Sequence, residues 1–229
     1  MKYIDLKLII AFVLTTFFIV PVSAQVDLEE SQLDPEYTQV LIKRVDKFLK
    51  DVGIKDPAAY ERVRDIVVGQ YQAINWIEEQ RDEKLAAIKA NTELAPATAS
   101  ALKHGLKSEA DMEIFRLHTH FLAQLQTELS PEQVDGIKDG MTYGVLDRTY
   151  GGYLNLLPKL SDEEKRYILA SLLEARELAM DKGSSDAKHA TFGKFKGRIN
   201  NYLSQRGYNL KQAEMELKER ENKKKKERK

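Results

Sequence analysis

From Asp34 onward the apolar residues of this chain recur at steps of three and four, and that spacing predicts helices almost throughout. Tyr37, Leu41, Val45, Phe48 and Val52 share one face. Asp34-Pro35 opens their helix, because aspartate accepts from a free backbone N–H and proline is tolerated at the first helical position. Gly53 ends it by supplying a left-handed turn. Asp56-Pro57 repeats the opening, and Tyr60, Val63, Val67, Tyr71, Ile74 and Ile77 carry a second helix on to about Lys89. A third long helix is predicted from Ala97 to Leu129, with Leu102, Leu106, Phe115, Leu122, Leu125 and Leu129 on its apolar side. The two long helices read as an antiparallel hairpin turning near Asn91–Pro96.

Ser130-Pro131-Glu132-Gln133 is a capping sequence, serine accepting from the backbone and glutamine reaching back to it; the short helix it opens stops at Gly140. From Met141 to Pro158 the pattern changes. Gly144, Gly151 and Gly152 lie among Tyr143, Tyr150 and Tyr153, which predicts one long irregular segment, the kind of segment that often carries function. Regular periodicity returns with the capping box Ser161-Asp162-Glu163-Glu164, backed by Ile168, Leu169, Leu172, Leu173 and Ala175, and Lys182-Gly183 ends that helix. Ser185 caps the next, which stops at Gly207. Asn209 with Gln212 opens a last helix that decays into a lysine-rich tail. No stretch alternates like a strand and no repeat is present. The expected fold is a compact all-α domain of five to seven helices over residues 34–210, with 211–229 a charged tail, helical or disordered, that can be removed from about Glu219.

Composition places this domain. Lys2 and Lys7, the apolar run Leu8 to Val20, Pro21 and the compact Val22-Ser23-Ala24 have the grammar of a secretory signal peptide, so residues 1–24 are expected to be removed and 25–33 to form a loose lead. The apolar core is short for a bilayer span, and no transmembrane segment is expected after its removal. The 36 basic and 36 acidic residues balance, which gives no global field toward nucleic acid. The chain has no cysteine, so thiol chemistry, disulfides and cysteine–metal sites are excluded. The expected location is the periplasm or the cell exterior.

Candidate chemistry concentrates in the helix from Asp186 to Arg206. Lys188, Phe192, Phe195, Ile199 and Tyr202, with Leu203, form its buried face. His189, Gly193, Lys196 and Asn200 take an adjacent side, and Lys194, Arg198 and Asn201 a third. Gly193 and Gly197 each cost about 1 kcal/mol against alanine inside a helix, which close approach of another backbone or of a ligand would offset. Cations, amides and tyrosines of this kind suit a carboxylated or sulfated sugar; a solvated basic face around a core-anchored tyrosine is the structural alternative. Lys188, His189, Lys194, Lys196, Arg198, Asn200 and Asn201, facing Tyr143 and Tyr150 across one cleft, are the ligand-binding candidates. His118 and His120 diverge by about half a turn and cannot share a metal, and His104 stands alone. Neither a metal, a cofactor nor a catalytic constellation is implied.

The run Gly183-Ser184-Ser185, Lys188-His189, Phe192 to Leu203 and Gly207-Tyr208 resembles the C-terminal signature of a family of exported bacterial proteins. Ser130 to Val134 and Lys138 to Gly144 are similar to an earlier stretch of it. The family is a domain of unknown function, described as sugar-binding and often encoded near polysaccharide-degrading enzymes, and the resemblance spans about Asp34 to Leu210. It implies an exported glycan-binding accessory protein and brings no catalytic residues. A small helical lyase or hydrolase on acidic oligosaccharides, with Tyr143, Tyr150 or His189 as base, and a helical periplasmic chaperone are the readings that compete with it.

Overall fold

The computed structural model describes residues 34–227, so the expected signal peptide over 1–24, its expected cleavage site and the expected lead over 25–33 lie outside the described residues. Among these residues there are eight helices and no strand: α1 (Pro35–Leu49), α2 (Pro57–Ala90), α3 (Pro96–Glu128), α4 (Pro131–Met141), α5 (Val145–Leu156), α6 (Asp162–Met180), α7 (Ser185–Gln205) and α8 (Leu210–Glu227). Asp34 and Asp56 cap as their sequences demand, each accepting from two backbone N–H groups. Ser130 and Ser161 close complete capping boxes with Gln133 and Glu164. The cap of α7 is Ser184, one residue before the predicted Ser185. None of these helices is long and apolar enough to cross a membrane.

Helices α2 and α3 form the long hairpin, and α1 lies along α2. Helix α4 bridges α1, α3 and α6; α6 and α7 pair; α5 rests on α6 and α8. Two large apolar cores result, beside a smaller cluster of Ala73, Ile74, Ile77, Ala110, Ile114 and Leu117 between α2 and α3. One joins α1, α2, α3 and α4 around Leu41, Val45, Val67, Phe121, Leu125 and Ile137. The other joins α5, α6 and α7 around Ile168, Leu172, Phe192, Phe195, Ile199 and Leu203, with Ala213 of α8 against it. The side of α7 predicted to be buried is the side that is buried, with Leu203 in place of Tyr202. Packing also reaches past the predicted end of the domain: Ala213 is buried, and Arg220 donates to the carbonyls of Asn155 and Leu156 at the end of α5.

The structure corrects two elements. The segment from Met141 to Pro158 is not irregular; most of it is α5, which makes eight helices rather than seven at most. Val145, Leu146 and Tyr153 are buried along it, and that burial outweighs the helix-interior cost of Gly151 and Gly152. In α3 the buried residues are Ala110, Ile114, Leu117, Phe121 and Leu125, while Phe115 and Leu102 are 64 % and 46 % exposed. An apolar residue is present on nearly every side of α3, so periodicity there could select the wrong face.

Candidate functional site

Where the two cores meet, α4 turns into α5 within three residues. Thr142 is buried, and Tyr143 and Gly144 both take left-handed backbone, at φ 60° and 61°. Tyr143 is the only non-glycine residue with positive φ among the described residues. That conformation costs roughly 1–2 kcal/mol for a residue with a Cβ, so its surroundings must impose it. The Gly144 N–H donates to Asp139 O at 2.8 Å. The Arg148 guanidinium donates to Tyr143 O at 2.7 Å and to Gly144 O at 3.3 Å. The tyrosine ring is 42 % exposed, and the His189 ring stacks near it at 6.0 Å between centroids.

This turn is one wall of a cavity of about 760 Å³. Arg44, Lys47 and Phe48 of α1, with Asp51 and Val52 in the turn after it, form the opposite wall, and Tyr71 of α2 and Gly136, Asp139 and Gly140 of α4 form the rest. Gly140 is needed here, because a Cβ on it would collide with the Phe48 ring and its Cβ. Arg62, Arg81, Arg176, Arg198 and Arg206 each meet a carboxylate. Arg44 and Lys47 meet none within 4.0 Å among the described residues, and the Arg44 guanidinium lies 5.9 Å from the centre of the Tyr71 ring. Asp139 is spoken for by the buried Arg176, at 2.9 Å, which also holds Asp135 at 2.7 Å.

Behind the cavity a charged seam joins the halves. Lys138 of α4 pairs with Glu177 of α6 at 2.9 Å. His118 of α3 reaches Asp181 at 2.8 Å and Glu177 at 3.6 Å. The adjacent Asp181 carboxylate raises the His118 pKa, and burial raises that of Asp181 itself. Lys188 is buried under Tyr71, donating to Met141 O at 3.0 Å and to Met180 O at 3.3 Å, and burial lowers its pKa to about 8.

The sequence-derived candidates separate in three dimensions. His189 and Tyr143 come together, and of the two only Tyr143 lines the cavity. Lys188 stands behind the wall rather than in the lining. Tyr150 is half-buried against the second core. Asn200 accepts from the Tyr153 hydroxyl at 2.7 Å, a group whose pKa burial has pushed up to about 12. Lys194, Lys196 and Asn201 are exposed, and Arg198, also exposed, pairs with Glu174 at 2.8 Å and covers the Phe195 ring. None of these last six lines the cavity. Gly193 and Gly197 are likewise exposed, and a Cβ on either would touch nothing within 4 Å, so no backbone approaches them. Arg44, Lys47 and Tyr71 were missed because on a linear reading they are two surface cations and a core tyrosine; the i, i+3 spacing of Arg44 and Lys47 is the one available signal.

The model of the family described as Protein of unknown function (DUF3826) matches residues 38–224, and the chain belongs to that family. The match continues through most of α8, beyond the Leu210 limit of the sequence resemblance. No curated protein matches the chain.

Proposed function

We propose that this member of the DUF3826 family is an exported glycan-binding accessory protein, acting beside polysaccharide breakdown, and that it holds an acidic oligosaccharide between α1 and the α4–α5 turn. The observation that carries this reading is the lining itself: Arg44 and Lys47, with no carboxylate within 4.0 Å among the described residues although Asp51 and Asp139 line the same space, stand in one cavity with the Tyr71 and Tyr143 rings. A carboxylated sugar needs both kinds of group, cations for its acid and flat apolar faces for its ring. The strained backbone of Tyr143 supports the same place, since strain of this sort concentrates where a side chain must be presented. The export half of the reading rests on the sequence of residues 1–24.

Titration calorimetry with tetragalacturonate and with a neutral tetrasaccharide tests this. The acidic sugar is expected to bind, the neutral one to bind more weakly. Arg44→Ala is expected to weaken the acidic sugar roughly ten- to a hundredfold, the value of one charge-assisted bond of about 1.5–3 kcal/mol. Tyr143→Ala is expected to weaken both, and Lys196→Ala neither. If Lys196→Ala costs affinity while Arg44→Ala does not, the binding face is the outer side of α7 and the cavity is not the site.

A further inference from the structure

We propose that Lys188 is a positioning residue, whose ammonium ties the end of α4 to the end of α6 and thereby holds the left-handed Tyr143–Gly144 turn in the shape that presents Tyr143 to the cavity. This rests on the reading of that cavity as the binding site, but only for its purpose; the mechanical claim stands on geometry. Met141 is the last residue of α4 and Met180 the last of α6, and Lys188 Nζ donates to both of their carbonyls. The last carbonyls of a helix carry partial negative charge and have no partner within it, so one cation between two such ends satisfies both. The third neighbour is the Tyr71 ring, 5.0 Å from Nζ at its centroid, which is itself part of the cavity wall. Lys188 thus connects the two walls without touching the space between them.

The turn has a reason to need such a tie. Its left-handed pair follows Met141 by two residues and would relax if α4 were free to end elsewhere. Arg148 holds the carbonyls of Tyr143 and Gly144 from the α5 side, and Lys188 holds the carbonyl of Met141 from the α4 side, so the strained pair sits between two cationic clamps. Next to Lys188 in sequence, His189 stacks on the Tyr143 ring and brings α7 to the same turn. The charged groups facing Lys188 from the packed elements are Asp181 after α6, Arg44 of α1 and Glu78 of α2. Asp181 is already engaged by His118, and Lys188 is reached by it only through the field.

The test is amide hydrogen exchange on the purified chain, with Lys188→Met against wild type. Exchange at the amides of residues 142–148 is expected to quicken at least tenfold, while those of Phe195–Leu203 in the same helix stay within a factor of three. Unchanged protection at the turn overturns the proposal. So does a uniform loss along α7, which would make the lysine an ordinary structural residue. Should Lys188→Met fail to fold, Lys188→Gln carries the same test, since its shorter, neutral amide cannot bridge both carbonyls as the ammonium does. A local loss at 142–148 is again expected, and flat protection there overturns the idea. Tetragalacturonate that fails to bind wild-type protein refutes the proposed function and leaves the exchange result readable on its own.

Discussion

Glycine marks two regions of this molecule, and it means opposite things in them. In the α4–α5 turn, Gly140 is pressed against Phe48, and Gly144 takes a left-handed backbone. On the outer side of α7, Gly193 and Gly197 have ordinary helical backbone and nothing near them. In sequence the second pair looked the more telling, since it stands among cations inside a helix. In space the first pair shapes a cavity and the second faces solvent. A glycine in a helix is informative only when something occupies the place of its side chain.

The largest expected effect that tests this contrast is at Gly140. Gly140→Ala should destabilise the protein by about 1–3 kcal/mol, the usual range for overpacking a filled site, as measured by urea unfolding. Shortening Phe48 to leucine in the same chain should recover part of that loss. Full stability of Gly140→Ala alone would mean that α1 and α4 can separate freely and that the cavity wall is soft. Smaller, and of opposite sign, is the effect on α7. Gly193→Ala and Gly197→Ala should each stabilise by up to about 1 kcal/mol, because alanine restores helix propensity and meets no neighbour. Glycan affinity should stay unchanged in both variants. A destabilised or non-binding Gly193→Ala would put a ligand or partner back on that face.

The smallest effect concerns the seam behind the cavity. His118 holds its proton more firmly in the folded protein than in the unfolded chain, chiefly through Asp181. Its contribution to stability is therefore complete below about pH 6.5, the unfolded value, and is lost as pH rises through the raised folded value. The Asp181 carboxyl, raised by burial, acts in the same sense: its contribution is present at acid pH and lost as pH rises. Melting temperature should fall as pH rises above about 6.5 in wild type, and fall less in His118→Gln. Equal slopes in the two proteins would assign the pH dependence to other groups.

How much of this could be read along the chain follows from the range of each signal. Caps are local, and Asp34, Asp56, Ser130 and Ser161 were legible because four consecutive residues settle them. The buried face of α7 was legible because Phe192, Phe195, Ile199 and Leu203 leave periodicity only one choice. Helix α5 was not, since its stability comes from Val145, Leu146 and Tyr153 packing on distant helices, while its two glycines argue locally for a loop. The cavity was hidden for the same reason. Arg44 and Tyr143 lie far apart in sequence and line one cavity only after the two cores dock. Tyr143 and His189 were legible as chemistry-bearing residues, and it took the fold to separate them from Lys196 and Arg198.

The long hairpin carries a consequence for cooperativity. Buried residues of α2 stop at Ile77 and those of α3 begin at Ala110, so between Glu78 and Glu109 the two helices have no buried side chain. An isolated helical segment of such length is marginal in water, and this stretch draws on neither large core. Its hydrogen bonds therefore belong to a separate cooperative unit, one that frays and re-forms from the Asn91–Ala95 end while the body stays folded. The same stretch is open to proteolysis, and a nick there leaves every residue that lines the cavity in the folded body.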